Sequence, residues 1–394
     1  MSSLAGMFGM AARYATSYSI DSLLDRPKGR KARIPWTFRA ITREWVEAVL
    51  CNDIPGAKIT SIDFGVGHNG TSGRQQFSIE YNAAGQRAGL PTSVFAKGTP
   101  TLTTRISMGS VPSMQLETQF FNSVRPHLDI EAPVGYYSAH DLLSGRSIHL
   151  LEDLVATKNA TFPNLMTRLD ETQARDVVSL LAKFHSTFYQ SPRLHSDFAH
   201  LRTWPAVYSR MCRLMDLRKY HFKGFDKARP VIPDRLYARR DETWAAIVKS
   251  TELHNQLPQT LTHGDVHLGN WYMTGERRMG LLDWQCVSKG HWSRDLAYAM
   301  TATMTVEDRR AWHADLIKAY VDELNERSGA NISLEEAMLR FRQQIWGALA
   351  FWTPTYSPPA FAPKEMQPPE LSLEMLKRFT VAIDDHNALE ALQA

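Results

Sequence analysis

The sequence predicts an α+β protein in two parts, a small β-rich lobe followed by a larger, mainly helical one. Three observations predict it. Residues 58–64 and 76–81 alternate polar and apolar side chains, the period of a half-buried strand. From about residue 162 the apolar spacing changes to that of helices, as in Val177, Leu181, Phe184 and Phe188. The 394 residues, 43% hydrophobic and 22% charged, supply enough apolar material for such a core, which excludes a wholly disordered or fibrous chain.

Taken in order, residues 1–36 read as an N-terminal extension. They end in the basic cluster Arg26, Lys28, Arg30, Lys31 and Arg33, read as a solvated surface. The β-rich lobe, 37–152, holds the two alternating runs, a short strand at 93–97 and strand-like runs at 134–137 and 148–151. A helix is expected over 113–124, with Leu116, Phe120 and Val124 four apart and Pro126 as its stop. The helical lobe, 153–394, opens with a capping box at Asp170 and Gln173 and repeats helical patterns around 234–256, 306–327 and 333–350. Residues 354–369, with six prolines, read as a loop. The net charge of +4 gives no sign of a nucleic-acid binder. Cys51, Cys212 and Cys286 are too few and too scattered for a disulfide framework or a zinc site, which points to a reducing, cytoplasmic setting. No run of about 18 uncharged apolar residues predicts a membrane span.

The chemistry concentrates in the run LTHGDVHLGNW, residues 261–271, and in MGLLDWQ, residues 279–285. Asp265 and Asn270 stand five apart, the spacing of a kinase-type catalytic loop, and Asp283 follows 18 residues after Asp265 at the end of an apolar run. Phosphoryl transfer needs a carboxylate to orient or deprotonate the attacking hydroxyl, and oxygen ligands to hold magnesium on the phosphates.

The block HGDVHLGN with its LLDW resembles the catalytic motif of the aminoglycoside phosphotransferase and choline kinase superfamily. The runs LETQFFNSVRPHLDIEAPVGYYSAHD, HLLEDLVATKNATF and DWQCVSKGHWSRDLAY resemble its ecdysteroid-kinase-like branch. The resemblance covers about residues 38–385 and implies a bilobal protein-kinase-like fold, with two lobes sharing one cleft, ATP and Mg2+ as cofactors, and a small hydroxylated substrate. It implies that Asp265 is the catalytic base and that Asn270 and Asp283 are the magnesium ligands. It also implies that His263 braces the loop backbone and that Asp295 tethers the loop. His267 is not a defining position and stands either as a substrate contact or as a structural histidine.

The small lobe meets the same requirement independently. Lys97 is the only lysine between Lys58 and Lys158, and Glu117 is the only carboxylate between residues 101 and 128. A strand lysine paired to a helix glutamate is what a kinase needs beside the nucleotide phosphates. The run GVGHNGTSG, residues 65–73, reads as a glycine-rich turn between strands whose Gly67, Gly70 and Gly73 could cover phosphates, or as a loose hairpin turn. Glu152 and Leu154, in the EDL run, fall where such kinases pass between lobes and bind the adenine edge; the alternative is a plain turn with solvated acids.

Residues 341–363 contain six aromatics and no Asp or Glu. That suits a lipophilic, steroid-like alcohol better than a polycationic aminoglycoside, with Trp346 and Trp352 as candidate wall residues or as plain core. Aromatic walls also hold quaternary ammonium, which keeps a choline-type substrate open. Two readings from other classes are a catalytically inactive nucleotide-binding module and a metal-dependent hydrolase built on His263, Asp265 and His267.

Overall fold

The alternating runs of the first third of the chain form a five-stranded antiparallel sheet: β1 (Ile59–Asn69), β2 (Gly73–Tyr81), β3 (Ser93–Gly98), β4 (Gly135–Asp141) and β5 (Arg146–Glu152). Their order is β1-β2-β3-β5-β4. The computed structural model describes residues 4–24, 34–69, 72–110, 113–359 and 367–393. The chain divides into two compact units, the first comprising Met1–His127, Ala132–Ala160 and Trp284–Cys286, the second Leu128–Glu131, Thr161–Asp283 and Val287–Ala394. The class is α+β, as the sequence predicts.

In the first unit, period-two alternation turns Phe77, Ile79, Val94, Ala96, Ile148 and Leu150 toward one apolar core, which the helix Arg43–Leu50 closes with Trp45, Val46 and Val49. The N-terminal extension begins as the helix Leu4–Leu24. Its Tyr14 is buried against Gly109 and Gly145, and its Asp21 pairs with Arg105 at 3.0 Å and with Arg146. The basic cluster that follows lies outside the described residues. The expected helix over 113–124 is α-helical only across Ser113–Gln119; a π turn, Phe120–Val124, and a 3-10 turn, Arg125–His127, continue it through Pro126.

The glycine-rich run lies between two paired strands, as the hairpin alternative has it, and the strands reach further into it than residues 64 and 76. Gly65 and Gly67 lie inside β1, with Gly67 opposite Gln75 and Asn69 opposite Gly73. The ladder hydrogen bonds carry both strands almost to the tip, because glycine accepts extended backbone as readily as a turn. Gly70 lies outside the described residues. At Gly73 a Cβ would stand 2.3 Å from Pro100 Cγ and 2.8 Å from Phe38 Cε2, so close packing accounts for that glycine.

In the second unit every residue of the helix Ser293–Thr303 is buried. Around it pack Glu171–Phe188, Val306–Ser328, Leu334–Gln344, Trp346–Tyr356 and Pro369–Asp385. The predicted capping box of Asp170 and Gln173 starts the first of these. Two short ribbons, β6 (Thr260–Thr262) with β9 (Ser288–Gly290) and β7 (Trp271–Met273) with β8 (Met279–Leu281), frame the motif residues. The proline-rich segment departs from expectation. Helix Trp346–Tyr356 runs through Pro354, since packing against Leu217–Lys227 and Pro369–Asp385 outweighs the one backbone bond that proline removes. Residues 360–366, including Phe361, lie outside the described residues. Among the described residues no helix is long and apolar enough to cross a membrane.

Candidate active site

In the second unit the loop between β6 and β7 carries the motif. Val266, Leu268 and Trp271 are fully buried and pin it from below, and the Trp271 indole donates to the Val266 carbonyl at 3.0 Å. Leu268–Asn270 make a single 3-10 turn. Gly264 sits at φ +90°, a conformation that favours glycine.

Asp295, wholly buried at the start of helix Ser293–Thr303, accepts hydrogen bonds from the backbone N–H groups of His263 (2.5 Å) and Gly264 (3.1 Å). Burial pushes its carboxyl up, but the hydrogen bond and charge of His185, 3.3 Å away, and the Arg294 charge hold it below the ordinary aspartate range. Arg294 in turn donates to the Gly264 carbonyl at 2.9 Å and stacks on Trp204 at 3.8 Å. The loop is thus clamped on both polarities.

His263 is spent on backbone. Its Nε2 donates to the Leu282 carbonyl at 3.0 Å and its Nδ1 accepts from the Asp265 N–H at 3.1 Å. Burial pushes its pKa down, so the ring is neutral and its tautomer is fixed. With both nitrogens engaged it cannot ligate a metal. Among the described residues no group of three or more His, Cys, Asp or Glu stands together to hold a metal ion.

Asp265 is partly exposed, and its carboxylate is bracketed. Oδ1 accepts from the Tyr298 hydroxyl at 3.1 Å, and Oδ2 lies 3.2 Å from Asn270 Nδ2 and 3.6 Å from His267 Nε2. Asn270 Nδ2 also donates to the Asp265 carbonyl at 2.8 Å, which commits the amide nitrogen and leaves the oxygen as the acceptor of that side chain. The Asn270 carbonyl accepts from the Leu282 N–H at 2.9 Å, tying the loop to the residue before Asp283. Asp283 itself sits at φ +65°, a region uncommon for non-glycine residues and enriched at working sites. Asn270 and Asp283 offer hard oxygen donors of the kind magnesium prefers, so the donor set fits that ion.

In the first unit Lys97 Nζ meets Glu117 Oε1 at 2.7 Å, both side chains buried. His149, opposite Lys97 in the β3–β5 ladder, brings its Nε2 to 3.6 Å from the other Glu117 oxygen, while its Nδ1 lies 2.5 Å from the Ser138 hydroxyl. Glu152 ends β5, with Oε2 accepting from the Val134 N–H at 3.1 Å and Oε1 from the Thr157 hydroxyl at 2.8 Å. Asp153 caps the helix Leu154–Lys158 and accepts from Ser93 at 2.6 Å; Leu154 is buried. The acids of the EDL run are therefore built into the fold and not solvated.

The two tryptophans separate. Trp346 is fully buried, with its indole 3.3 Å from the Ala388 carbonyl, a place in the core. Trp352 stands edge-on to His267 at 5.7 Å and donates its indole N–H to the Tyr298 hydroxyl at 2.7 Å. Burial, with the Asp265 charge adding to it, raises the Tyr298 pKa well above the ordinary tyrosine value, so the phenol stays protonated. Sequence reasoning passed over Tyr298 although it lies in the quoted RDLAY run. Its spacing of three from Asp295 puts both on one helix face, the signal that could have found it. His149 and Ser138 had no such signal, since their approach to Glu117 depends on strand register.

The sequence matches APH, the phosphotransferase enzyme family, over residues 93–330. Comparison with curated proteins returns no match. Among solved structures, an aminoglycoside phosphotransferase from Alicyclobacillus acidocaldarius is similar at 14% identity and a TM-score of 0.46, covering 84% of this chain and 92% of that one. Choline kinase LicA from Streptococcus pneumoniae gives 13% identity and a TM-score of 0.44, covering 87% and 97%. Macrolide 2'-phosphotransferase MphH from Brachybacterium faecium gives 13% and 0.42, covering 86% and 98%.

Proposed function

This chain belongs to the phosphotransferase enzyme family, and on that premise we propose that it is an ATP- and magnesium-dependent small-molecule kinase acting on a hydroxyl of a lipophilic, steroid-like alcohol. The observation that carries the reading is the Asp265 carboxylate, partly exposed and oriented by Tyr298 and Asn270. As the acceptor oxygen bonds to the γ-phosphorus, the bond to the β–γ bridging oxygen breaks and ADP leaves; Asp265 takes the hydroxyl proton. Lys97, steadied by Glu117, binds the α- and β-phosphate oxygens. Asn270 and Asp283 would hold magnesium, which withdraws charge from the phosphate oxygens when bound. Gly67 and Gly73 would present the hairpin backbone to the phosphates, with Glu152 and Leu154 beside the adenine. His263 and Asp295 keep the loop in shape.

A steroid-like acceptor, as against a polycationic one, is supported by residues 341–363, which carry no Asp or Glu. The thiols of Cys51, Cys212 and Cys286 support a reducing, cytoplasmic setting. The test is a magnesium–ATP screen across hydroxylated steroids, sugars, choline and aminoglycosides, read by product mass, with Asp265→Asn as control. A phosphorylated steroid bears the proposal out. A phosphorylated choline or aminoglycoside replaces the substrate class, and nucleotide binding without any product leaves an inactive module.

A further inference from the structure

We propose that Tyr298 is a positioning residue for the base, oriented by Trp352, so that Trp352 acts on catalysis through Tyr298 and not as a wall for the acceptor. The inference rests on the reading of Asp265 as the base. An indole N–H can only donate, so the Tyr298 hydroxyl accepts from Trp352 at 2.7 Å and its own hydrogen is directed to Asp265 Oδ1 at 3.1 Å. The order Trp352 to Tyr298 to Asp265 is forced by donor chemistry. Phe379 packs against both rings, 5.9 Å from Tyr298 and 6.1 Å from Trp352. The Trp352 side chain is almost wholly buried and its one polar atom is committed, which leaves little of it to meet a substrate.

The consequence falls on the carboxylate torsion. An aspartate side chain turns broadly about its last bond, and a base that turns freely is seldom aligned with the hydroxyl. Anchoring Oδ1 on Tyr298 leaves Oδ2 on the Asn270 and His267 side. His267 Nδ1 accepts from the Gly269 N–H at 3.1 Å, so its hydrogen sits on Nε2, facing Oδ2. Tyr298 holds one oxygen and Asn270 the other, which together fix the plane of the carboxylate.

The test measures ADP formation from magnesium–ATP without added acceptor, where water takes the hydroxyl's place, together with the Trp352 indole N–H resonance in tryptophan-15N-labelled protein. Tyr298→Phe is expected to slow ADP formation about tenfold or more with the KM for ATP within about twofold, and to move the Trp352 resonance upfield. Trp352→Phe slows turnover in the same sense but less, and the double variant is no slower than Tyr298→Phe. Undiminished turnover in Tyr298→Phe overturns the proposal, as do losses that multiply in the double variant. Should Tyr298→Phe not fold, Trp352→Phe decides: a lower kcat at unchanged KM for ATP supports the chain, and an unchanged kcat overturns it. Where basal turnover is too slow to read, the resonance decides. Movement on Asp265→Asn supports the chain and its stillness overturns it. Asp265→Asn that moves the resonance yet retains turnover leaves the hydrogen-bond chain standing and removes the base assignment.

Discussion

Lys97 and Glu117 meet at 2.7 Å with their side chains only 7% and 1% exposed, so this charge pair is part of the folded interior of its unit. A buried pair is hard to break from one side. Removing the lysine alone leaves a buried carboxylate short of its ammonium, at a cost of about 3–5 kcal/mol. Lys97→Met is therefore expected to lose that much stability, and Lys97→Met with Glu117→Leu to recover most of it while leaving turnover lost. Guanidinium unfolding of the three proteins checks this. A single variant as stable as the parent contradicts it.

Gly224 makes a sharper packing prediction. A Cβ there would stand 2.0 Å from the Thr353 carbonyl oxygen, backbone that cannot swing aside. Gly224→Ala must separate helices Leu217–Lys227 and Trp346–Tyr356, costing about 1–3 kcal/mol, where alanine in an open helix would have stabilised. Thermal unfolding reads the sign directly.

Acid sensitivity follows from buried histidines. Burial pushes His221 down to about 3, with the Arg240 charge adding to it, and pushes His254 down to about 4. Both folded values lie below the ordinary 6.5, so below pH 6.5 the unfolded chain binds more protons. Their contribution is complete above that value and drains away as pH falls from it toward the folded values, by about 1.4 kcal/mol per pH unit for each. Carboxylates such as Asp295, held below their ordinary range, lose their contribution only at lower pH. Urea unfolding at pH 7 and pH 5 is expected to show a drop of several kcal/mol, lessened in His254→Gln. Equal stability at the two values contradicts it.

Asp295→Asn tests the clamp on the catalytic loop. The carboxylate accepts from two backbone N–H groups, and an amide must turn its own donor toward one donor or the other. About 1–3 kcal/mol of stability is expected to go, with kcat falling at little change in the KM for ATP. A variant with parental kcat would show that the loop holds its shape without the charge.

How much was legible depended on how local each feature is. Asp265, Asn270 and Asp283 could be picked out because their types and spacing lie within one short stretch, and Lys97 with Glu117 because each is the lone residue of its kind in its region. The sheet was legible through alternation. The hairpin at Gly65–Gly73 was legible only as one of two alternatives, since glycine composition does not say whether strands pair through it; the ladder from Gly67–Gln75 to Asn69–Gly73 does. Pro354 misled for a related reason: its local cost is outweighed by helices that approach from distant parts of the sequence. Trp352 was noticed as a ring, whereas its indole N–H is what reaches Tyr298.

The central claim is that Asp265 is the base of a phosphoryl transfer. The most direct measurement is single-turnover transfer from magnesium–ATP by Asp265→Asn, with ATP affinity measured on the same sample. The account predicts transfer slowed by about 10²–10⁴-fold at nearly unchanged ATP affinity. Undiminished transfer by Asp265→Asn would contradict it.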